Sequence, residues 1–152
     1  MSILNPDEPT VAFHDWAPEN PESFEVSLTA YIGSDEGGDD SDAFDFVVCT
    51  PDRLVAVYGA RRREAEEFRA SIDAEGEDSM SFWTIEANSH VVPVGAVFVV
   101  EEWQGAAVEA AIAEQCARTF GETWDQIGAQ LHRWLNWEFG YRLDPRWTDR
   151  RG

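Results

Sequence analysis

The sequence predicts an α+β fold, with a mainly antiparallel sheet, helices packed on one face and two helices near the C-terminus. Two observations carry most of this prediction. Apolar and polar residues alternate along the first third of the chain, a pattern typical of strands with one buried face. Apolar residues recur at helical spacing in the last third. With 152 residues and 43% hydrophobic content, the chain is expected to form a single domain over 1–152.

The clearest strand pattern runs over residues 24–32, where every second residue is apolar, and Gly33 is expected to end that strand. A second alternation covers 43–49. The turn-rich, acidic segment 34–42 between them predicts an antiparallel hairpin. Residues 11–16 are expected to form a further short strand.

Two more strands are predicted in the middle of the chain. Residues 80–85 include Phe, Trp and Ile, which favour strands. Residues 91–103 contain a nearly continuous apolar run, which predicts a central strand covered on both faces.

The first helical region is expected after the hairpin. Thr50 and Pro51 predict its start, because threonine caps helices and proline fits the first helical position. Gly59 is expected to end or weaken this helix. Helical spacing then resumes over 61–73.

The last third predicts two more helices. The first covers 106–120 and the second begins at Thr123, where Gln126 three residues later completes a capping box. Gly140 stands where a glycine commonly ends a helix.

The charge of the chain excludes several classes of function. The net charge is −19, and all eleven basic residues are arginines, so mechanisms that need a lysine are excluded. Such an acidic chain repels nucleic acid and anionic membranes, so neither is an expected partner.

The first 52 residues hold thirteen carboxylates and no basic residue. This surface is either merely solvated or meets a basic protein. The candidate contact cluster comprises Asp35, Glu36, Asp39, Asp40 and Asp42.

No catalytic, cofactor or metal site is predicted. His14, His90 and His132 share no ligand spacing, and the two cysteines match no disulfide framework or zinc motif. Cys49 precedes a helix start, where a thiolate can be activated, but no histidine lies near it in sequence. The chain is therefore expected not to be an enzyme. Without a predicted signal peptide or membrane-spanning run, the expected location is the cytoplasm.

Several short motifs together resemble the bacterial immunity protein 8 family. They are Ile32-Gly33, the strand-to-helix junction over 48–51, Cys116, Thr123-Trp124 and the WEF motif of Trp137, Glu138 and Phe139. The resemblance covers about residues 24–141 in the expected order. Ser34 stands where the family usually has proline, Arg53 where it has a bulky residue, and 59–93 is longer than the usual connection.

The resemblance implies an immunity protein of a polymorphic toxin system, which binds a secreted toxin inside the producing cell. The acidic charge favours a basic, nuclease-type toxin domain as partner. Trp124 and the WEF motif are expected to shape the fold, with the motif at the end of the last helix. The alternatives are an adaptor domain without a toxin partner, and an enzyme of unrecognised type. The oligomeric state stays open.

Overall fold

The computed structural model describes residues 1–33, 41–75 and 95–143. The chain divides into two compact units. The sheet unit comprises Met1–Arg53 and Gly95–Glu138, and the helix unit comprises Leu54–Val94 and Phe139–Gly152. The single domain over 1–152 remains a prediction.

The sheet has five strands and is mostly antiparallel. The strands are β1 (Ser2–Leu4), β2 (Glu25–Gly33), β3 (Ser41–Cys49), β4 (Val97–Val99) and β5 (Asn136–Trp137). β2 and β3 form the predicted hairpin and pair over nine residues, while β1 pairs with β2. The other edge of β3 is shared, since β4 pairs with it in parallel and β5 pairs antiparallel nearer its start.

One face of this sheet carries the core. Leu28 lies opposite Phe46 and Ala30 opposite Phe44, and all four are at most 1% exposed. Phe98 of β4 adds an edge-to-face contact, with its ring centroid 5.7 Å from that of Phe46. The period of two seen in the sequence therefore places the buried residues correctly.

Three helices complete the described fold: α1 (Leu54–Glu75), α2 (Gly105–Ala117) and α3 (Trp124–Leu131). The predicted α+β class is confirmed, including the two C-terminal helices. α2 contributes the buried Val108 and Ile112, and α3 contributes Leu131.

The first helix differs in detail from the prediction. A 3₁₀ turn over Pro51–Arg53 leads into α1, which continues through Gly59 without a break. A glycine inside a helix costs about 1 kcal/mol relative to alanine, and that cost does not end a helix by itself. The hydroxyl of Thr50 accepts a hydrogen bond from the backbone N–H of Phe24 at 3.0 Å, so this side chain ties the end of β3 to β2.

The predicted strand over 11–16 is wrong. Phe13–Asp15 forms a short 3₁₀ helix instead. Phe13 and Trp16 both pack edge-on against the ring of Trp103, at centroid distances of 5.8 and 4.9 Å. Contacts to a residue far along the chain thus decide the local conformation, and the short alternation did not reveal them.

The predicted central strand over 91–103 is also wrong for its described part. Only Val97–Val99 forms a strand, and β4 stands last in the strand order. Ala96, just before it, has a φ of 56°, which is incompatible with a continuing strand. The strand predicted over 80–85 lies outside the described residues.

The last helix is shorter than predicted. α3 ends at Leu131, and the chain turns so that Asn136–Trp137 can pair with β3. Gly140 begins a 3₁₀ helix, Gly140–Leu143, and does not end α3. The WEF motif therefore begins in a strand, which corrects its predicted place at a helix end.

Candidate protein-binding surface

The motif tryptophans converge on one carboxylate. Asp42 lies opposite Ile32 in the β2–β3 hairpin and so shares the core face with Phe44. Its Oδ2 accepts hydrogen bonds from the indole N–H of Trp124 at 2.5 Å and of Trp137 at 2.9 Å. We call these three residues the tryptophan–aspartate node. The node joins the hairpin, the start of α3 and β5.

The capping of α3 positions Trp124 at this node. Thr123 is the N-cap, and its hydroxyl accepts the backbone N–H of Gln126 at 3.2 Å. The side chain of Gln126 accepts the backbone N–H of Glu122 at 2.8 Å, one residue before the cap. The predicted capping box is thus present in altered form. The side chain of Gln126 accepts the backbone N–H of Glu122, where a standard capping box uses the N–H of the N-cap residue itself.

Close packing positions Trp137. Its side chain is 2% exposed and its ring stacks on Phe44, with centroids 6.2 Å apart and planes 9° apart. Across the ring lies Gly128 of α3, where an added Cβ would stand 2.6 Å from two ring carbons. Only glycine therefore fits at this position without displacing the indole.

Glu138 extends the pairing of β5 with β3. Its Oε1 accepts the backbone N–H of Ala43 at 2.8 Å, and its own N–H donates to the carbonyl of Ala43 at 3.0 Å. Both backbone groups of Ala43 are thus bonded by one residue. Phe139 is half-buried and belongs to the helix unit. Trp137 and Glu138 thus make contacts within the sheet unit, and a purely structural role of the motif stays a prediction.

The predicted acidic contact cluster divides into two parts. Asp35, Glu36, Asp39 and Asp40 lie outside the described residues. Asp42 is half-buried and its carboxylate is engaged by the two indoles, so it differs from a solvated loop aspartate. The sequence contained an indication of this, because Asp42 falls in phase with the apolar residues of β3.

Neither a metal cluster nor a thiol of lowered pKa occurs among the described residues. No group of three or more His, Cys, Asp or Glu side chains converges among them. Burial raises the pKa of the Cys49 thiol, and the charges of Glu25 and Asp52 raise it further. Burial also raises the pKa of Cys116. Both side chains are therefore thiols at neutral pH and poor nucleophiles.

His132 makes the turn before β5 sensitive to acid. Its Nδ1 accepts the backbone N–H of Trp137 at 3.2 Å, which requires an unprotonated Nδ1. Burial lowers the pKa of His132 below its ordinary value of 6.5. The unfolded chain then takes up a proton at a higher pH than the folded chain does. Stability is therefore full above about pH 6.5 and falls as the pH drops toward the folded pKa.

We expect the free energy of unfolding to fall between pH 7 and pH 5, with a part of that fall absent in His132→Asn. Asparagine places Oδ1 where Nδ1 stands and does not titrate. Urea denaturation of both proteins across this pH range measures the difference. Equal pH slopes in the two proteins would contradict a role for His132.

No helix among the described residues is long and apolar enough to cross a membrane.

Comparison with models of protein families gives a match. Residues 78–141 match the model of the family described as Immunity protein 8, which confirms the resemblance over that segment. No curated protein and no solved structure matches the chain. The matched segment contains α2, α3, Trp124 and the WEF motif, and Asp42 lies outside it. Proteins of this family are non-enzymatic toxin inhibitors, in agreement with the prediction that this chain is not an enzyme.

Proposed function

We propose that this chain is an immunity protein that binds a cognate toxin domain in the producing cell and neutralises it. The observation that carries the proposal is the family match over 78–141, which includes Trp124 and Trp137 of the node. The absence of a metal cluster among the described side chains agrees with action by binding.

The charge supports a basic partner. At a net charge of −19 the protein attracts positively charged surfaces over distances set by ionic screening, about 8 Å at physiological salt. Nuclease domains carry positive charge because they bind phosphate. A basic, nuclease-type toxin domain acting in the cytoplasm is therefore the partner that we propose.

Growth rescue tests this function. We expect co-expression with the toxic domain encoded beside this gene to restore growth of cells that the toxin alone kills. The two proteins should then purify together. Rescue without a complex would contradict neutralisation by binding and would favour an enzyme. Failure of both rescue and binding would favour an adaptor domain without a toxin partner.

The acidic cluster is proposed to accelerate association with the toxin domain. Replacing Asp35, Glu36, Asp39 and Asp40 by the corresponding amides should lower the association rate constant by about tenfold or more at low salt. Asp42 stays unchanged in this variant because its carboxylate holds two indoles.

Stopped-flow measurements at several salt concentrations test the prediction. Added salt should slow the wild-type protein more than the variant, because screening removes the attraction that the variant has already lost. A matched control replaces four exposed glutamates outside the cluster, Glu19, Glu22, Glu67 and Glu109, by glutamine. Equal rates for wild type and the cluster variant would leave the cluster with a role in solubility alone.

A further inference from the structure

A cleft of about 390 Å³ opens between β4 and α2 in the sheet unit. Its volume lies at the lower end of the range for binding pockets, about 300–1,000 Å³. Val99 on β4 and Ala107 and Ala111 on α2 contribute apolar surface, and all three are exposed. Val99 is 49% exposed and so presents apolar surface to solvent.

Two carboxylates stand on the wall of this cleft. Glu101 and Glu102 lie two and three residues after the last residue of β4, and both are exposed. Glu102 accepts a hydrogen bond from the side chain of Gln104 at 3.1 Å, which holds its carboxylate beside the cleft. No ion pair of Glu101 or Glu102 occurs within the described part of the chain, and no arginine lines the cleft.

An apolar floor with carboxylates beside it fits one kind of side chain. Arginine and lysine bury their aliphatic stems against apolar surface and keep the charged group near water or a counter-charge. Aspartate or glutamate would be repelled by Glu101 and Glu102. A purely apolar side chain would pack against the apolar lining of the cleft. It would also remove water from the two carboxylates without supplying a counter-charge or a hydrogen-bond donor.

We propose that this cleft is a docking site for an arginine or lysine side chain of the toxin domain. The proposal rests on the proposed function and adds to it where the partner is held. Basic side chains that insert into a pocket act mainly on the dissociation rate, whereas distant charges act mainly on the association rate. The cleft and the acidic cluster therefore make separable contributions.

Two variants test the cleft. Glu101→Gln with Glu102→Gln removes both charges and keeps the shape, and Ala107→Trp fills the cleft from an exposed helix position. The control is Glu19→Gln with Glu122→Gln, which removes the same charge from exposed positions that do not line the cleft. Binding to the toxic domain encoded beside this gene is measured by biolayer interferometry.

We expect both cleft variants to raise the dissociation rate constant by about tenfold or more, a change of about 1.4 kcal/mol in affinity. The control should change it by less than about threefold. Thermal melting of each variant verifies that the fold is intact. If Ala107→Trp unfolds the protein, the variant with Glu101→Gln and Glu102→Gln tests the proposal by itself, since it alters only exposed side chains.

Three other outcomes would overturn the proposal, and they differ in what they leave standing. If wild type and both cleft variants bind equally well, the cleft is wrong and the proposed function remains. If only Ala107→Trp weakens binding, the occupant is apolar and the basic side chain is wrong. If the wild-type protein neither binds nor protects, the proposed function fails and the cleft proposal fails with it.

Discussion

Trp137→Ala is expected to destabilise the sheet unit by about 3–5 kcal/mol, the range for removal of a buried aromatic side chain. The substitution removes the stacking on Phe44, empties the space beside Gly128 and deletes one hydrogen bond to Asp42. For a chain of this size, 1 kcal/mol shifts Tm by roughly 2–4 °C, so Tm should fall by roughly 6–20 °C.

The chain provides a close control for this substitution. Trp134 lies three residues earlier, and 52% of it is exposed. Trp134→Ala should therefore change the free energy of unfolding by only about 0.5 kcal/mol or a little more. Calorimetric melting of both variants makes the comparison. A Trp137→Ala protein that keeps the wild-type Tm and loses toxin binding would show that the WEF motif is the interface.

Asp42→Ala is expected to cost about 2–4 kcal/mol, because two indole N–H groups lose a charged acceptor at once. A hydrogen bond to a charged group contributes about 1.5–3 kcal/mol, and part of that is regained where water can enter. Asp42→Asn should cost less, since an amide oxygen still accepts. Asp45 lies three residues further along β3 and on the other face of the sheet. Asp45→Ala loses a single hydrogen bond, from the hydroxyl of Thr29, and serves as the control.

A double-mutant cycle separates the node from simple loss of charge. Trp124→Phe keeps most of the ring and removes the indole N–H that donates to Asp42. Urea denaturation of Asp42→Ala, Trp124→Phe and the double variant should give a coupling energy of about 0.5–3 kcal/mol. Additive losses would contradict the node, because independent residues do not couple.

The parts of the fold that depend on local pattern were predictable. The alternation over 24–32 and 43–49 specified the hairpin, since a slip of one residue would turn the core face outward. The capping residues Thr123 and Gln126 placed the start of α3 correctly. In each case a short stretch of sequence contains the interactions that determine the structure.

The errors arise where distant residues decide the structure. The 3₁₀ helix at Phe13–Asp15 depends on Trp103, and the early end of α3 depends on pairing of Trp137 with Phe44. An apolar stripe does not reveal such a change from helix to strand. Gly128 is the one local indication, because a buried glycine in a helix commonly marks close contact with a large side chain.

The candidate site was predictable in its residues and not in their arrangement. Trp124 and Trp137 were identified from motifs, and Asp42 from the density of negative charge. Their convergence needed the structure, because Asp42 lies 82 residues before Trp124 and 95 before Trp137. Charge alone assigned Asp42 to an external partner, whereas strand phase places it facing inward.

We propose that this protein neutralises a toxin by binding it. The most direct measurement mixes the purified chain with the purified toxic domain encoded beside it, in a calorimetric titration coupled to an assay of toxin activity. We predict one-to-one binding with a nanomolar or lower Kd, about −12 kcal/mol, and loss of toxin activity in proportion to the complex formed. Full toxin activity at saturating concentrations of the chain, or inhibition by amounts far below one equivalent, would contradict the account.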